Sequence, residues 1–282
     1  MDNKKFRFLA LDLDGTLLGH NKKISKETIL ALDSYAEKYP DSVNAIITGR
    51  YPYSAKRYAN FINEKSKLFK IHYVGASNGS FFYEIDLNSN SYNLLSENLI
   101  PQQQALKIYE FCLKNNVLFW GYPRNLHKGA PIVLSSHFSS FLIHLVRPKD
   151  THIINKFLNE NYSKINIVCT SAKKLDVLFE NLKEIYPNIF EISRTSKNML
   201  EITAFNINKG KIVDLICDSN NISYDQRVAI GDSHNDKNMF KKVAVKLAPI
   251  NVRNALKSEA DYIGTKHFKK RISCLFYDYL LK

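Results

Sequence analysis

Phe6-Arg7-Phe8-Leu9-Ala10-Leu11-Asp12-Leu13-Asp14-Gly15-Thr16-Leu17-Leu18 is the stretch on which the fold reading turns. Phe6, Phe8, Leu9, Ala10 and Leu11 form a short apolar run of the kind a strand buried on both faces needs. The run stops at Asp12, Asp14 and Gly15, so two carboxylates stand where a core strand ends. In an open α/β sheet ligands bind beyond the carboxyl ends of the strands, which favours a chemical role for such acids over a solvated acidic turn. Asp-Gly can also turn a hairpin, but the next strong signal here is a helix.

Outward from that strand, Ser25 can cap a helix whose apolar positions Ile29, Leu32, Ala36 and Tyr39 recur at helical spacing and which Pro40 ends. Val43 to Ile47 reads as a second strand. Thr48-Gly49-Arg50 follows it, then a helix with Pro52 in its first turn and Ala55, Tyr58, Ala59 and Ile62 on one face. Strand, helix, strand, helix is the unit of an α/β fold, a doubly wound, Rossmann-like parallel sheet.

The third strand, His72 to Ala76, runs into Ser77-Asn78-Gly79-Ser80, where the texture changes. Short strands at Phe81 to Tyr83 and Leu94 to Glu97, a helix from Pro101 to Asn115 and a strand at Val117 to Tyr122 come next. Strands at Ile165 to Cys169, Ile189 to Ser193 and Met199 to Thr203 follow, with a helix marked by Leu175, Leu178, Leu182 and Ile185. This mixture reads as an inserted α+β domain. After Ala204 the alternation returns: a helix opening near Lys209, strands at Arg227 to Ile230 and Val243 to Leu247, and helices at Val252 to Ala260 and Lys269 to Leu281. The expected division is a discontinuous core of residues 1–80 and 195–282 around an insertion of residues 81–194.

At 282 residues, with 45% hydrophobic and 24% charged content, the chain has an ordinary globular composition, which excludes a disordered protein. The net charge of +13 fits an acidic partner such as nucleic acid, a membrane surface or phosphorylated metabolites, or else lysines spread over solvated helix faces, which is the favoured reading. The basic residues are scattered, and the closest cluster, Lys266 to Arg271, is short, so nucleic acid is not expected as a partner. Cys112, Cys169, Cys217 and Cys274 lie far apart among apolar residues without metal-ligand spacing, as buried thiols of a reducing compartment do. The apolar run after Lys4, Lys5 and Arg7 is broken at once by Asp12 and Asp14, and Ile132 to Val146 is too short to span a bilayer. A cytoplasmic protein without a membrane segment is expected; oligomeric state is not readable.

Two further stretches carry chemistry. Thr48-Gly49 puts a hydroxyl and backbone amides at the same sheet edge as Asp12, where they could hold a phosphoryl oxygen. Gly231-Asp232-Ser233-His234-Asn235-Asp236 groups acids and amides after a buried strand, a hard-oxygen set suited to magnesium. Lys209, taken alone, is an ordinary lysine near a helix start, and His234 reads as an exposed position.

Asp12-Leu13-Asp14-Gly15-Thr16 resembles the first motif of the haloacid dehalogenase-like superfamily. Together with Thr48-Gly49, the Met199 to Gly210 segment and Gly231 to Asp236, it makes the chain similar to the Cof-type phosphatase branch. The resemblance implies a large cap domain inserted after the third core strand, with Asn78-Gly79 at its entry, that selects the substrate. It also implies Asp12 as a nucleophile that becomes an aspartyl phosphate, and Asp14 as general acid and then base. Thr48, Gly49, Lys209, Asn235 and the Leu13 to Gly15 backbone would bind phosphate, with Lys209 favouring the ionised form of Asp12. Mg2+ would be held by Asp12, Asp232 and the main-chain carbonyl of Asp14, with Asp236 as a further ligand or a support. Arg50 is either a structural or a substrate contact, and Arg124, His127, Lys128 and Arg194 are candidates for leaving-group contacts in the cap. One departure stands out: Lys246-Leu247-Ala248-Pro249-Ile250-Asn251 replaces the family's Met-Gly-Asn-Ala turn.

The function so implied is magnesium-dependent hydrolysis of small phosphorylated metabolites, sugar phosphates and phosphorylated cofactors among them. A sugar phosphomutase is the near alternative, and a non-catalytic phosphate-ligand or nucleic-acid binding protein is the alternative from another class.

Overall fold

A computed structural model describes residues 5–19, 21–124, 132–134, 152–153, 160–267 and 271–282. They fall into two compact units, one of residues 1–96 and 208–282 and one of residues 97–207. Strands are numbered along the chain. The first unit holds β1 (Phe8–Leu11), β2 (Val43–Ile47), β3 (Tyr73–Ala76), β4 (Phe81–Asp86) and β5 (Ser91–Glu97). The second holds β6 (Leu118–Pro123), β7 (Ile132–Leu134), β8 (His152–Ile153), β9 (Tyr162–Val168), β10 (Phe190–Ser196) and β11 (Met199–Ala204). The chain then returns to the first unit for β12 (Arg227–Ile230), β13 (Val245–Ala248) and β14 (Tyr262–Ile263).

The first unit is an eight-stranded sheet in the order β14-β13-β12-β1-β2-β3-β4-β5. From β14 to β3 every pairing is parallel. β1 lies at the middle because all four of its residues are apolar and buried on both faces. The flanking helices form as their caps and spacing dictate. Ser25 accepts the Thr28 amide at the head of Lys26–Lys38, and Pro52 opens Pro52–Lys65. Pro52–Lys65 buries Ala55, Tyr58, Ala59 and Ile62 as read, whereas Lys26–Lys38 buries Ile29 and Leu32 with Tyr35 in place of Ala36, and Tyr39 is its C-cap.

The second unit is a six-stranded sheet in the order β10-β11-β9-β6-β7-β8. The helices Gln102–Lys114 and Ala172–Ile185 supply Ala105, Ile108, Leu175, Leu178 and Leu182 to a core shared with Phe119, Ile165, Ile167, Leu200 and Ile202 of the strands.

The boundaries differ from 80/81 and 194/195 and fall at 96/97 and 207/208. β4 is antiparallel to β3 and continues its sheet, pairing Phe81 with Ala76 and Tyr83 with Val74. Phe81, Phe82, Tyr83 and Ile85 are all buried there, so the change from parallel to antiparallel texture marks a hairpin on the open sheet edge rather than a new domain. At the other junction β10 and β11 form a hairpin whose second strand pairs with β9, which carries residues 195–207 into the second unit. The C-terminal helix is shorter than Lys269 to Leu281: an α-turn at Ser273–Leu275 passes into a wider turn over Phe276–Leu280. All four cysteines are buried and unpaired. Among the described residues no helix is long and apolar enough to cross a membrane.

Candidate active site

The parallel register brings Asp12, Thr48 and Asp232 to one sheet edge. Leu11 pairs with Ile46 on β2 and with Ile230 on β12, so the residues just after these strands share the carboxyl end of the sheet. Asp12 stays on the sheet through its amide, which donates to the Ile230 carbonyl at 3.0 Å. Gly15 then turns the chain back with φ +77°, and a side chain there would place its first carbon 2.1 Å from an Asp232 carboxylate oxygen. The glycine of the first motif is therefore what lets the second acidic loop close on the first. Gly231 serves the same end, because a Cβ on it would overlap the Asp236 carboxyl at 2.6 Å.

Lys209 is the first residue of the helix Lys209–Ser219, whose start is fixed by the Asn208 side chain accepting the Gly210 and Lys211 amides. A cation there opposes the helix dipole, so carboxylates must hold it. Its Nζ lies 2.6 Å from Asp12 Oδ1 and 2.6 Å from Asp236 Oδ1, with the lysine side chain 1% exposed. The remaining Asp236 oxygen accepts the Asp232 and Ser233 amides at 3.0 Å each. Asp236 is thus used up as a brace for the loop and for Lys209, which favours the support role over the ligand role. Asp12, Asp232 and Asp236 each offer an oxygen within 4.8 Å of the others.

The cluster carries more negative charge than its lysine can balance. Burial raises the Asp12 carboxyl well above its ordinary value; Lys209 pulls it down, but Asp236 and Asp232 push it up again. Burial likewise raises Asp232 to about 7, with Asp236 adding to the rise and Lys209, Arg253 and Arg271 opposing it. Lys209 itself is held protonated by the two acids against the effect of burial. The expectation that Lys209 would keep Asp12 ionised therefore covers one contribution of several. Three carboxylates gathered on one ammonium call for a further cation.

Asp14 faces elsewhere. Arg50 forks onto it, with Nε to Oδ2 at 2.6 Å and an Nη to Oδ1 at 2.7 Å, and Lys22 Nζ reaches Oδ1 at 2.8 Å. Burial works to raise its carboxyl, but the hydrogen bonds and charges of Arg50 and Lys22 outweigh it and hold Asp14 at about 2. In this arrangement it is a carboxylate, not the protonated acid the sequence reading requires.

Thr48 is buried, its amide bonded to the Gly75 carbonyl at 2.8 Å and its hydroxyl accepting the Arg50 amide at 3.2 Å. Gly49 lies between them on the same turn. The Leu13 carbonyl accepts from Leu18 at 2.9 Å, which closes the loop around Asp14 and Gly15. Asn235 accepts from Ser233 Oγ at 2.6 Å and donates to Asn78 Oδ1 at 3.3 Å, tying the second acidic loop to the turn after β3. His234 is half-buried rather than exposed.

Three positioning residues were not singled out from the sequence. Arg271, read there as the end of a surface basic cluster, is buried and donates to the Thr16 carbonyl at 2.8 Å and to the Leu18 carbonyl. The neighbouring apolar Ile272, Cys274 and Leu275, all buried, were the available signal. Asn251, in the loop that departs from the family pattern, donates to the Gly15 carbonyl at 2.8 Å, so this loop steadies the turn at Gly15. Lys22 had no signal beyond its charge.

The cap candidates do not gather. Arg124 pairs with Glu97 at 3.0 Å, Arg194 pairs with Asp176 and donates to the Lys197 carbonyl, and His127 and Lys128 lie outside the described residues.

The chain is similar over most of its length to known proteins. A "putative phosphatase" of Mycoplasma pneumoniae is 29% identical over 269 residues, covering 95% of each chain. The 5-amino-6-(5-phospho-D-ribitylamino)uracil phosphatase YcsE of Bacillus subtilis is 26% identical, covering 91% of this chain and 89% of its own. The subclass IIB sugar phosphatase BT4131 superposes with a TM-score of 0.75 over 98% of this chain and 100% of its own, at 19% identity, and so shares the fold. The family model of haloacid dehalogenase-like hydrolases matches residues 9–271, which span both acidic loops and everything between them, and the chain belongs to that family.

Proposed function

We propose that this hydrolase is a magnesium-dependent phosphatase of small phosphorylated metabolites, working through an aspartyl phosphate on Asp12. The observation that carries the reading is the surplus of buried carboxylate around Lys209, set at the carboxyl ends of three parallel strands. A site that must bring an anionic nucleophile to an anionic phosphate needs fixed positive charge. Lys209 supplies part of it. Asp12, Asp232 and the Asp14 main-chain carbonyl would hold Mg2+, which would supply the rest by neutralising the carboxylates and the phosphate together.

In the first half-reaction Asp14, once freed from Arg50, takes a proton from solvent; an Asp12 oxygen attacks phosphorus, the bond from phosphorus to the leaving oxygen breaks, and Asp14 gives that oxygen its proton. In the second, water gives a proton to Asp14 and attacks phosphorus, breaking the bond to Asp12 and freeing inorganic phosphate. Thr48, Gly49, Asn235 and the Leu13 to Gly15 backbone bind the phosphoryl oxygens, and Asp236 keeps the Asp232 loop and Lys209 in place. The reading assigns selection of the leaving group to the inserted unit. The names of the relatives support phosphate monoesters of sugars and of a ribitylamino compound as the substrate class. Four buried free thiols support a reducing, cytoplasmic location.

The test is release of inorganic phosphate from a panel of sugar phosphates and phosphorylated cofactors with magnesium, with EDTA, and with magnesium restored. Turnover that EDTA abolishes and magnesium recovers is expected; no release from any member overturns the reading.

A further inference from the structure

Asp14 and Arg50 are unequal partners. Arg50 is anchored from several sides besides Asp14: its amide donates to Thr48 Oγ1 at 3.2 Å, an Nη donates to Ser54 Oγ at 2.9 Å, and its guanidinium carbon sits 5.1 Å from the centre of the Tyr58 ring. Tyr58 is fixed in turn, its hydroxyl donating to the Lys22 carbonyl at 2.8 Å. The Arg50 side chain is 22% exposed, whereas that of Asp14 is 43% exposed and its other cation, Lys22, 60%. If the pair opens, Asp14 is the member free to swing and Arg50 the one that stays.

The pair must open for the proposed chemistry. A carboxylate whose two oxygens both accept from one guanidinium has no proton to give and its lone pairs are engaged, so it serves as neither acid nor base while the fork is closed. The planar fork of arginine fits a phosphate as well as it fits a carboxylate. Arg50 stands two residues after Thr48, on the turn that the proposed function uses for phosphoryl oxygens.

We infer that Arg50 exchanges partners, passing from the Asp14 carboxylate to an oxygen pair of the bound phosphate, and that this exchange releases Asp14 to take a proton from solvent and reach the leaving group. The inference rests on the proposed phosphatase reading and adds to it a coupling: phosphate and Asp14 compete for one guanidinium. Asp14 then becomes available only where a phosphate has taken its place.

The experiment is a double-mutant cycle on the binding of inorganic phosphate, measured by calorimetry in magnesium buffer with wild type, Asp14→Asn, Arg50→Ala and the double variant. Asp14→Asn removes the competitor and is expected to tighten phosphate binding about tenfold, equivalent to about 1.4 kcal/mol. Arg50→Ala is expected to weaken it by a similar factor, and in the Arg50→Ala background the Asp14 substitution should change it less than about twofold. Arg50→Lys, which keeps the charge and loses the fork, should fall between. Thermal unfolding of each variant controls for folding, and the lysine variant keeps the test usable if the alanine variant is unstable. An Asp14→Asn effect of equal size with and without Arg50 would show that Asp14 acts through bulk charge and overturn the exchange, as would phosphate affinity unchanged by Arg50→Ala. In either case substrate turnover by wild type would persist. Absence of phosphate binding and turnover by wild type overturns the exchange together with the reading beneath it.

Discussion

Each unit of the molecule contains a buried lysine 2.6 Å from a carboxylate, and the two differ in what surrounds the bond. In the second unit Lys164 of β9 meets Glu201 of β11, with side chains 7% and 5% exposed, and the ammonium also lies 4.7 Å from the centre of the Tyr122 ring. Here the ammonium and the carboxylate face each other across neighbouring strands. In the first unit Lys209 bonds two carboxylates, a third lies within reach, and the cation sits at the helix end that repels it. A balanced buried pair adds little net stability but is costly to halve, whereas an unbalanced cluster stores a demand for another cation. On the proposed function, the difference separates a charge kept for structure from charges kept for chemistry, although distance and burial are nearly the same.

The contrast is broken most directly at Asp12. Asp12→Asn removes the nucleophile and one excess charge together, and is expected to lower kcat by about 10⁴-fold or more while the protein unfolds at the same or a higher temperature. Loss of turnover without loss of stability is the mark of a site under electrostatic load; turnover near wild type would remove the proposed chemistry. Lys209→Met should cost about 10²- to 10³-fold in kcat, as loss of a fixed charge next to a transferring phosphoryl group does. It should also lower the melting temperature in EDTA, because the acids are left without their ammonium.

The second unit should answer in the opposite sense. Lys164→Met leaves Glu201 buried without its ammonium, with an expected loss of about 3–5 kcal/mol of stability in urea unfolding. The double variant Lys164→Met with Glu201→Leu should recover most of that loss, and kcat for the folded double variant should stay within about threefold of wild type. A large kcat defect in the stable double variant would move this pair from structure to chemistry.

How much of this was legible in sequence follows from which contacts are local. The strands and helices of the parallel core were readable because apolar runs and caps such as Ser25 and Pro52 act over a few residues. Asp12, Asp232 and Lys209 were readable as motif residues, and the sheet register then joined them across the chain. The unit boundaries were not. A hairpin looks the same in sequence whether it extends an old sheet or starts a new one, and only pairing of Phe81 with Ala76 decides it. Nor could periodicity show that Arg271 turns inward onto two carbonyls or that Arg50 closes on Asp14, since both are long-range choices among many exposed bases. The stretch at Lys246 to Asn251 is a further case: it departs from the family's turn, and nothing local showed that Asn251 reaches the Gly15 carbonyl.

The smallest effect sharpens the comparison further, because it separates the surplus charge of the first unit from the titration of His72. Burial holds Asp232 at about 7 and also raises Asp12, both above the value of an unfolded carboxyl. Between about pH 4 and 7 the metal-free folded protein therefore binds more protons at these groups than the unfolded chain does, and their effect is to raise stability as pH falls through 7. His72 works against this. Burial lowers its pKa below 6.5, so the stability it contributes is lost as pH falls. Its Nδ1 accepts the Asn44 amide at 3.1 Å at the amino-terminal side of β3, away from the carboxyl edge, so magnesium at the carboxylates leaves its contribution unchanged. The magnesium-induced shift in melting temperature cancels His72 and isolates the acids. Because the ion needs them deprotonated, that shift should grow by a few degrees from about pH 6 to about pH 8. In Asp232→Asn the shift should be smaller and nearly flat with pH. A shift in wild type that does not depend on pH would mean that magnesium binds elsewhere, and the surplus charge around Lys209 would need another explanation.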